Sequence, residues 1–120
     1  MRLGIFILFF PLTSFAGWLE LEETYNENFY YSTPSVKKSG DHVTVTILSD
    51  IKQMDPDGEM SRTGDYEFNC VKEKFRNLSA VHYAEPMGQG RQIMISRVVG
   101  EWVSIHEKTL ANKVHAIICQ

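Results

Sequence analysis

The chain has 120 residues, of which 43% are hydrophobic and 22% charged, and its formal net charge at pH 7 is −3. This length fits one compact domain and not two. Acidic and basic residues are scattered along the chain, which argues against nucleic acid as a partner, because phosphate binding needs clustered Lys and Arg.

The first sixteen residues predict a secretory signal peptide. A single cation, Arg2, precedes an apolar run over residues 3–10, and the small residues Ser14 and Ala16 stand three before and one before the expected cut. The run is shorter than the roughly 20 residues that cross a bilayer, so we expect cleavage after Ala16 and no membrane-spanning segment in the mature chain. Residues 17–120 would then form an exported domain in the periplasm or at the bacterial surface or outer membrane.

Alternating apolar and polar residues predict an antiparallel sheet through the middle of the chain. The clearest strand covers residues 42–47, with Val43, Val45 and Ile47 on one face and threonines on the other. Turn residues separate the predicted strands, and the polar segment 53–64 is expected to be a mobile connection. The other predicted strands are residues 18–23, 28–32, 66–71 with an extension toward 76, 78–84 and 92–98.

The apolar spacing changes to a helical period near the end of the chain. Within residues 107–118, apolar side chains at 110, 111, 114, 117 and 118 form a single stripe. A lone helix of about 12 residues is marginal in water, so it must dock on the sheet. The predicted fold is α+β: an antiparallel sheet of five or six strands with a C-terminal helix packed on one face.

Two cysteines, Cys70 and Cys119, predict one disulfide, because an even pair in an exported chain is typical of a bridge. Closing a loop of about 50 residues would stabilise the fold by about 4 kcal/mol through the entropy of the unfolded chain. The alternative is a reactive or metal-binding thiol. Cys70 shares the alternation of Tyr66 and Phe68, where a thiol would be covered and hard to ionise.

A glycine-rich turn follows the fifth predicted strand. Pro86 fixes its backbone angle, and Gly88 and Gly90 reach angles closed to other residues, so residues 86–90 predict a sharp reversal. The alternative is a phosphate-binding loop. A strand rather than a helix is expected next, which leaves no helix terminus to receive an anion.

The order of several motifs resembles the bacterial surface-adhesin protein E family. The most specific element is the Cys70 strand, followed by the Pro-Met-Gly-x-Gly turn and a cysteine in the last helix. The resemblance implies a small exported domain with one disulfide and, from the founding adhesin, binding of host extracellular-matrix and plasma proteins. This chain lacks a lipid-anchor cysteine, which leaves a periplasmic location open. The motifs are Gly17-Trp18-Leu19, Phe29-Tyr30-Tyr31, Val43-Thr44-Val45 with Asp50, Tyr66 to Cys70, Arg76-Asn77-Leu78, Tyr83, Pro86 to Gly90, Trp102 and Cys119.

No pattern in the sequence predicts an enzyme, a metal site or a cofactor. The four histidines are far apart and lack the spacing of a zinc site, and residues 55–59 place their glycine at the wrong position for a calcium loop. We therefore expect a protein-binding module. Its candidate contact residues are Tyr25 and Tyr30, as aromatic anchors, and Lys37 and Lys38, which would steer an acidic partner.

Each of these candidates has a structural alternative. Phe29 and Tyr31 would pack beneath the helix while Tyr30 lines a sheet face, and the two lysines would mark a polar turn. Two other functions are also considered. One is a periplasmic inhibitor of a host hydrolase such as lysozyme, with the segment 61–64 as a plug. The other is a structural envelope domain, for example a homodimer paired through an exposed sheet edge.

Overall fold

The computed structural model describes residues 17–120 of the chain, so the predicted signal peptide lies outside the described residues. Within this range, eight strands precede one helix. They are β1 (Trp18–Glu23), β2 (Glu27–Ser32), β3 (Lys37–Ser39), β4 (His42–Ile51), β5 (Ser61–Asn69), β6 (Lys74–Glu85), β7 (Gln89–Ser96), β8 (Val103–Ser104) and α1 (Leu110–Ile118). In the part of the chain described, no helix is long and apolar enough to cross a membrane.

All strands join one antiparallel sheet, as the sequence predicts. Its main path runs β1-β2-β4-β5-β6-β7, while the short strand β3 pairs with β4 and the short strand β8 pairs with β6. The main path of six strands agrees with the predicted five or six, and the two short strands bring the sheet to eight. The strands β4, β5 and β6 are the longest of the sheet.

The helix covers one end of one sheet face. Val43 and Val45 of β4 are buried there, and Val43 lies directly opposite Phe68 of β5. The predicted helix is confirmed but begins at Leu110, because Thr109 adopts extended backbone and its hydroxyl accepts a hydrogen bond from the amide of Asn112 at 3.1 Å. The buried residues of this core are Leu21, Val43, Val45, Phe68, Val114 and Ile118.

The disulfide between Cys70 and Cys119 is present, with 5.6 Å between the two Cα atoms. Cys70 follows β5 and Cys119 follows α1, so the bridge holds the end of the helix against the sheet. Both thiols are consumed by the bridge, which rules out the alternative of a free reactive thiol in this state.

The turn between β6 and β7 confirms the predicted reversal and folds over the sheet face opposite the helix. Met87 and Gly88 both adopt left-handed backbone, with φ of 58° and 68°. Their amides donate to Oδ1 of Asp50 and to Oγ of Ser61, each at 2.8 Å. These two bonds dock the hairpin tip and offset the strain at Met87, which carries a side chain in a region that favours glycine.

Several strand predictions differ from the structure in their bounds. The strand expected over residues 66–71, with an extension toward 76, is instead β5 over Ser61–Asn69, followed by a turn at residues 70–73 and then β6. Glu73 in this turn has φ of 53°, which ends any continuous extended run. The strand expected at 92–98 likewise begins and ends earlier, as β7.

The prediction of a mobile connection over residues 53–64 is wrong for its last four residues. Residues 61–64 begin β5 and pair on both sides, with β4 and with β6. Ser61 is fully buried, and its hydroxyl donates to the backbone oxygen of Glu85 at 2.6 Å. The sequence did not predict this part of the strand, because hydrogen bonds of polar side chains hold it in place and leave no apolar alternation. The segment is therefore not free to act as a plug.

Candidate functional site

The four contact residues predicted from the sequence do not form one surface. Tyr25 is 95% exposed in the turn between β1 and β2, beside the end of β4. Lys37 and Lys38 lie on β3, which pairs with the opposite end of β4, and both are exposed. Tyr30 lies between these ends, half-buried on the sheet face opposite the helix, while its neighbours in β2 pack against the core.

Exposed apolar side chains concentrate instead on one edge of the sheet. Of the ten large hydrophobic residues that are exposed within residues 17–120, five lie between residues 94 and 103, and Val98 is 76% exposed. Exposed apolar side chains grouped along one sheet edge form a candidate binding surface. We call this surface the outer edge. It consists of Met94, Ile95, Val98, Val99 and Val103.

The outer edge is held in place by a chain segment that runs beside β6. Gly100 donates its amide to the backbone oxygen of Asn77 at 2.8 Å, and Val103 pairs with Phe75 through β8. Residues 97–99 lie between β7 and this anchor, outside the regular ladder. Residues 97–99 are thus held at both ends, and the side chains of Val98 and Val99 face solvent.

Trp102 fixes the same segment to a charged cluster. Its ring lies 4.4 Å from the guanidinium carbon of Arg76, and its centroid is 5.7 Å from that of His42 in an edge-on arrangement. Beneath it, Glu67 accepts hydrogen bonds from Nε of Arg76 at 2.9 Å and contacts Nδ1 of His42 at 2.6 Å. Burial acts to raise the pKa of Glu67, but these hydrogen bonds outweigh it and lower the pKa below its ordinary value.

A second cluster of the same composition lies at the other end of the sheet, on the helix-side face. Glu59 accepts from Nε of Arg62 at 2.9 Å and contacts Nδ1 of His82 at 2.7 Å. Burial again acts to raise the pKa of Glu59, and the bonds from Arg62 and His82 reverse that effect, so the pKa lies below its ordinary value. Both glutamates are therefore structural anions near neutral pH.

Between α1 and the Glu59 cluster, the helix-side face forms a half-open groove of about 330 Å³. Its walls include Phe29, Tyr66 and Leu110, and its floor includes Gly64 and Ala80, which lie directly opposite each other in β5 and β6. The groove exists because these two floor residues have little or no side chain.

Charged and polar side chains close the groove at the end away from the helix. Glu27 and Arg62 line it, and Ser49 donates its hydroxyl to the carboxylate of Glu27. Within residues 17–120, no group of three or more His, Cys, Asp or Glu side chains is arranged to hold a metal ion. The groove therefore has an apolar surface with one polar end.

Comparison with known proteins identifies the family. The sequence model of surface-adhesin protein E matches residues 18–120. The chain belongs to the surface-adhesin protein E family. This confirms the resemblance found in the sequence. No curated protein sequence matches the chain.

Solved structures of protein E from Haemophilus influenzae share the fold. Crystal form II of that protein is 18% identical, with a TM-score of 0.71 over 91% of this chain and 91% of the other. Protein E from non-typeable Haemophilus influenzae is also 18% identical, with a TM-score of 0.66 over 91% of this chain and 79% of the other. At this identity the likeness establishes the adhesin E fold of this chain.

Sequence reasoning missed both the outer edge and the groove of this adhesin E domain. The outer edge had a weak signal, since Arg97-Val98-Val99-Gly100 places two apolar residues together beyond the alternating run of β7. The groove had none, because Gly64 and Ala80 become neighbours only through the pairing of β5 with β6.

Proposed function

We propose that this chain is an exported, non-enzymatic adhesin module that binds a protein partner through the outer edge, with host extracellular-matrix or plasma proteins as the partner class. Membership of a surface-adhesin family supports the binding role. The disulfide supports export, because such bridges persist in oxidising compartments. Cleavage after Ala16 and display outside the cell are part of the proposal.

The observation that carries this proposal is the concentration of exposed apolar residues on the outer edge. β7 is the last strand on the sheet path, so the row of backbone groups on its outer side is open to another chain. An added strand would gain main-chain hydrogen bonds from β7 and side-chain packing from Ile95 and Met94. Val98 and Val99 would extend the contact beyond the strand.

The four sequence-predicted residues remain proposed as secondary contacts. Tyr25 is the best exposed of them and would act as a separate aromatic anchor. Lys37 is free to attract an acidic partner, whereas the ammonium group of Lys38 already donates to the backbone oxygen of Gln120 at 3.0 Å. Because Tyr25 and the lysines lie at opposite ends of β4, one small partner would not reach both.

Binding of the processed protein to immobilised matrix and plasma proteins tests the proposal. The variant carrying Val98→Asp and Val99→Asp should weaken binding by about tenfold or more, because it places charge in the centre of the apolar contact. Val71→Asp is the matched control, since Val71 is 69% exposed but lies in the turn after β5. Flat responses at micromolar concentration, or equal loss in both variants, would remove the proposal.

Location is tested separately by fractionating cells and by treating intact cells with protease. Display at the surface predicts that protease added outside removes the protein, while periplasmic retention predicts protection. Since binding to a host protein requires exposure, a fully protected protein would restrict the partner to a component of the envelope.

A homodimer is the second candidate, and the open edge of β7 favours it. In a two-fold arrangement, β7 would pair with β7 of another copy and bury the outer edge. Light scattering then gives twice the monomer mass for the parent protein and the monomer mass for the Val98→Asp, Val99→Asp variant. A monomer in both cases would exclude this arrangement.

A further inference from the structure

We propose that the exposed segment at Arg97 is a substrate-like inhibitory loop for serine proteases with an acidic specificity pocket. We call residues 97–99 the edge loop. Arg97 enters the pocket of the protease, and Val98 and Val99 follow on the other side of the contacted peptide bond. The inference does not rest on the adhesin function. It depends on three features of the edge loop: its outward shape, its two anchors and the free charge of Arg97.

The edge loop bows outward because it has one residue more than the part of β6 beside it. Ser96 pairs with Ala80, and four residues later the amide of Gly100 donates to the backbone oxygen of Asn77. The three residues of the edge loop therefore pass only two residues of β6. Val98 at the centre of the loop is 76% exposed, whereas Ser96 and Gly100 at its ends are half-buried.

The backbone of the edge loop is extended, which is the form in which a protease active site receives a peptide segment. Residues 97–100 contain no turn, no sharp bend and no positive φ. Within residues 17–120, Arg97 is the single lysine or arginine that lies outside every strand, helix, turn and bend. Arg97 is therefore the basic residue of this range whose extended backbone is not already committed to the sheet.

The side chain of Arg97 carries a free positive charge. It is exposed, and it forms no ion pair within residues 17–120. The nearest acidic residue in the sequence is Glu101, which lies beyond the Gly100 anchor. An acidic pocket complements this guanidinium, as in trypsin, where an aspartate sets the preference for the residue before the cut bond. The apolar pocket of chymotrypsin does not complement it.

The two anchors favour inhibition over cleavage. The serine oxygen of the protease bonds to the carbonyl carbon of Arg97, the bond from that carbon to the Val98 nitrogen breaks, and this nitrogen leaves with the serine proton. Ser96 is held by β6 and Gly100 by Asn77, so the freed amine stays beside the acyl carbon. Re-formation of the peptide bond is then favoured over attack by water. The anchored loop also loses little conformational entropy on binding, which favours affinity.

Inhibition of two proteases with different pockets tests the proposal. Hydrolysis of a chromogenic arginine substrate by trypsin, and of a phenylalanine substrate by chymotrypsin, is measured with increasing amounts of the processed protein. We expect a Ki of about 1 μM for trypsin and at least about thirtyfold weaker inhibition of chymotrypsin. Absence of inhibition of trypsin, or equal inhibition of the two enzymes, would overturn the proposal.

Variants then assign the inhibition to the edge loop. Arg97→Ser should raise the Ki for trypsin by at least about thirtyfold, and Arg97→Phe should transfer inhibition to chymotrypsin. Arg91→Ser is the matched control and should leave the Ki unchanged, since Arg91 is also exposed but lies within β7. Unchanged inhibition by Arg97→Ser, or an equal loss in Arg91→Ser, would show that the protease binds elsewhere.

Mass spectrometry of the incubated mixture distinguishes an inhibitor from a substrate. We expect inhibition to persist with the bond between Arg97 and Val98 intact, because the anchors favour its re-formation. Inhibition that fades as this bond is cut would identify an ordinary cleavage site and contradict the inhibitory role. These assays contain no matrix or plasma protein, so their failure leaves the adhesin proposal standing.

Discussion

Two clusters of one glutamate, one arginine and one histidine lie on opposite faces of the sheet, and they are assembled in different ways. In the first, Glu67 of β5 stands directly opposite Arg76 of β6, and the ladder alone brings the two charges together. In the second, Glu59 lies in the connection just before β5, three residues from Arg62, which stands directly opposite His82 of β6.

The two clusters also differ in solvent exposure. The side chain of Glu59 is 8% exposed, and that of Glu67 is 16% exposed beneath the ring of Trp102. A carboxylate that is withdrawn further from water depends more strongly on its partners. We therefore expect removal of the glutamate to cost more in the Glu59 cluster than in the Glu67 cluster.

The largest expected effect on stability comes from removing the glutamate of the more buried cluster. Glu59→Ala should lower the free energy of unfolding by about 3 kcal/mol, because His82 and Arg62 lose a shared acceptor and the connection loses its anchor. Urea unfolding followed by circular dichroism measures the effect. Glu20→Ala, in an exposed position of β1, is the control. A loss no larger than in this control would contradict the structural importance of Glu59.

Removing the other glutamate should have about half that effect. Glu67→Ala leaves Arg76 and His42 partly exposed, so water can replace the lost carboxylate, and we expect a loss of about 1.5 kcal/mol in the free energy of unfolding. The same urea experiment measures it. A cost equal to or above that of Glu59→Ala would reverse the order of the two clusters.

Acid should reveal the contribution of Glu59 to stability. Both glutamates have a lowered pKa in the folded state, so their contribution is complete above the unfolded value of about 4.3 and is lost as the pH falls through the folded values. Between neutral pH and pH about 3, Glu59→Gln should therefore lose less unfolding free energy than the parent protein does. Parallel curves for the two proteins would show that Glu59 does not contribute to acid sensitivity.

The smallest expected effect concerns the aromatic cover of the Glu67 cluster. A double-mutant cycle with Trp102→Leu and Arg76→Gln should give a coupling of about 1 kcal/mol, since the guanidinium lies over the ring. Equilibrium unfolding of the four proteins supplies the coupling. A value near zero would mean that Trp102 holds the outer edge through packing alone.

Whether an element could be predicted from the sequence depended on the interactions that stabilise it. The strand around Val43 and Val45 and the helical stripe near Val114 were predicted, because apolar burial leaves a period in the sequence. Residues 61–64 were misassigned as a loop. Their strand is stabilised by hydrogen bonds from Ser61 and by pairing on both sides, and neither leaves an apolar period.

The candidate surfaces were less predictable than the fold. Tyr25 is exposed because it lies in the turn between β1 and β2. The four predicted contact residues nevertheless lie apart. The reason is that β2 pairs with one end of β4, whereas β3 pairs with the other end. The outer edge and the groove both arise from side chains that different strands bring together.

The sequence by itself determined the class of fold, the disulfide, the docked helix and the family, because alternation, helical spacing, the cysteine pair and the ordered motifs are all local or pairwise features of the chain. The tertiary structure alone decided which apolar residues remain exposed and where the sheet is left uncovered. The physical reason is that exposure depends on what a neighbouring element fails to cover. Here a helix of nine residues covers one part of a much longer sheet, and the strand at the sheet's edge has no further neighbour.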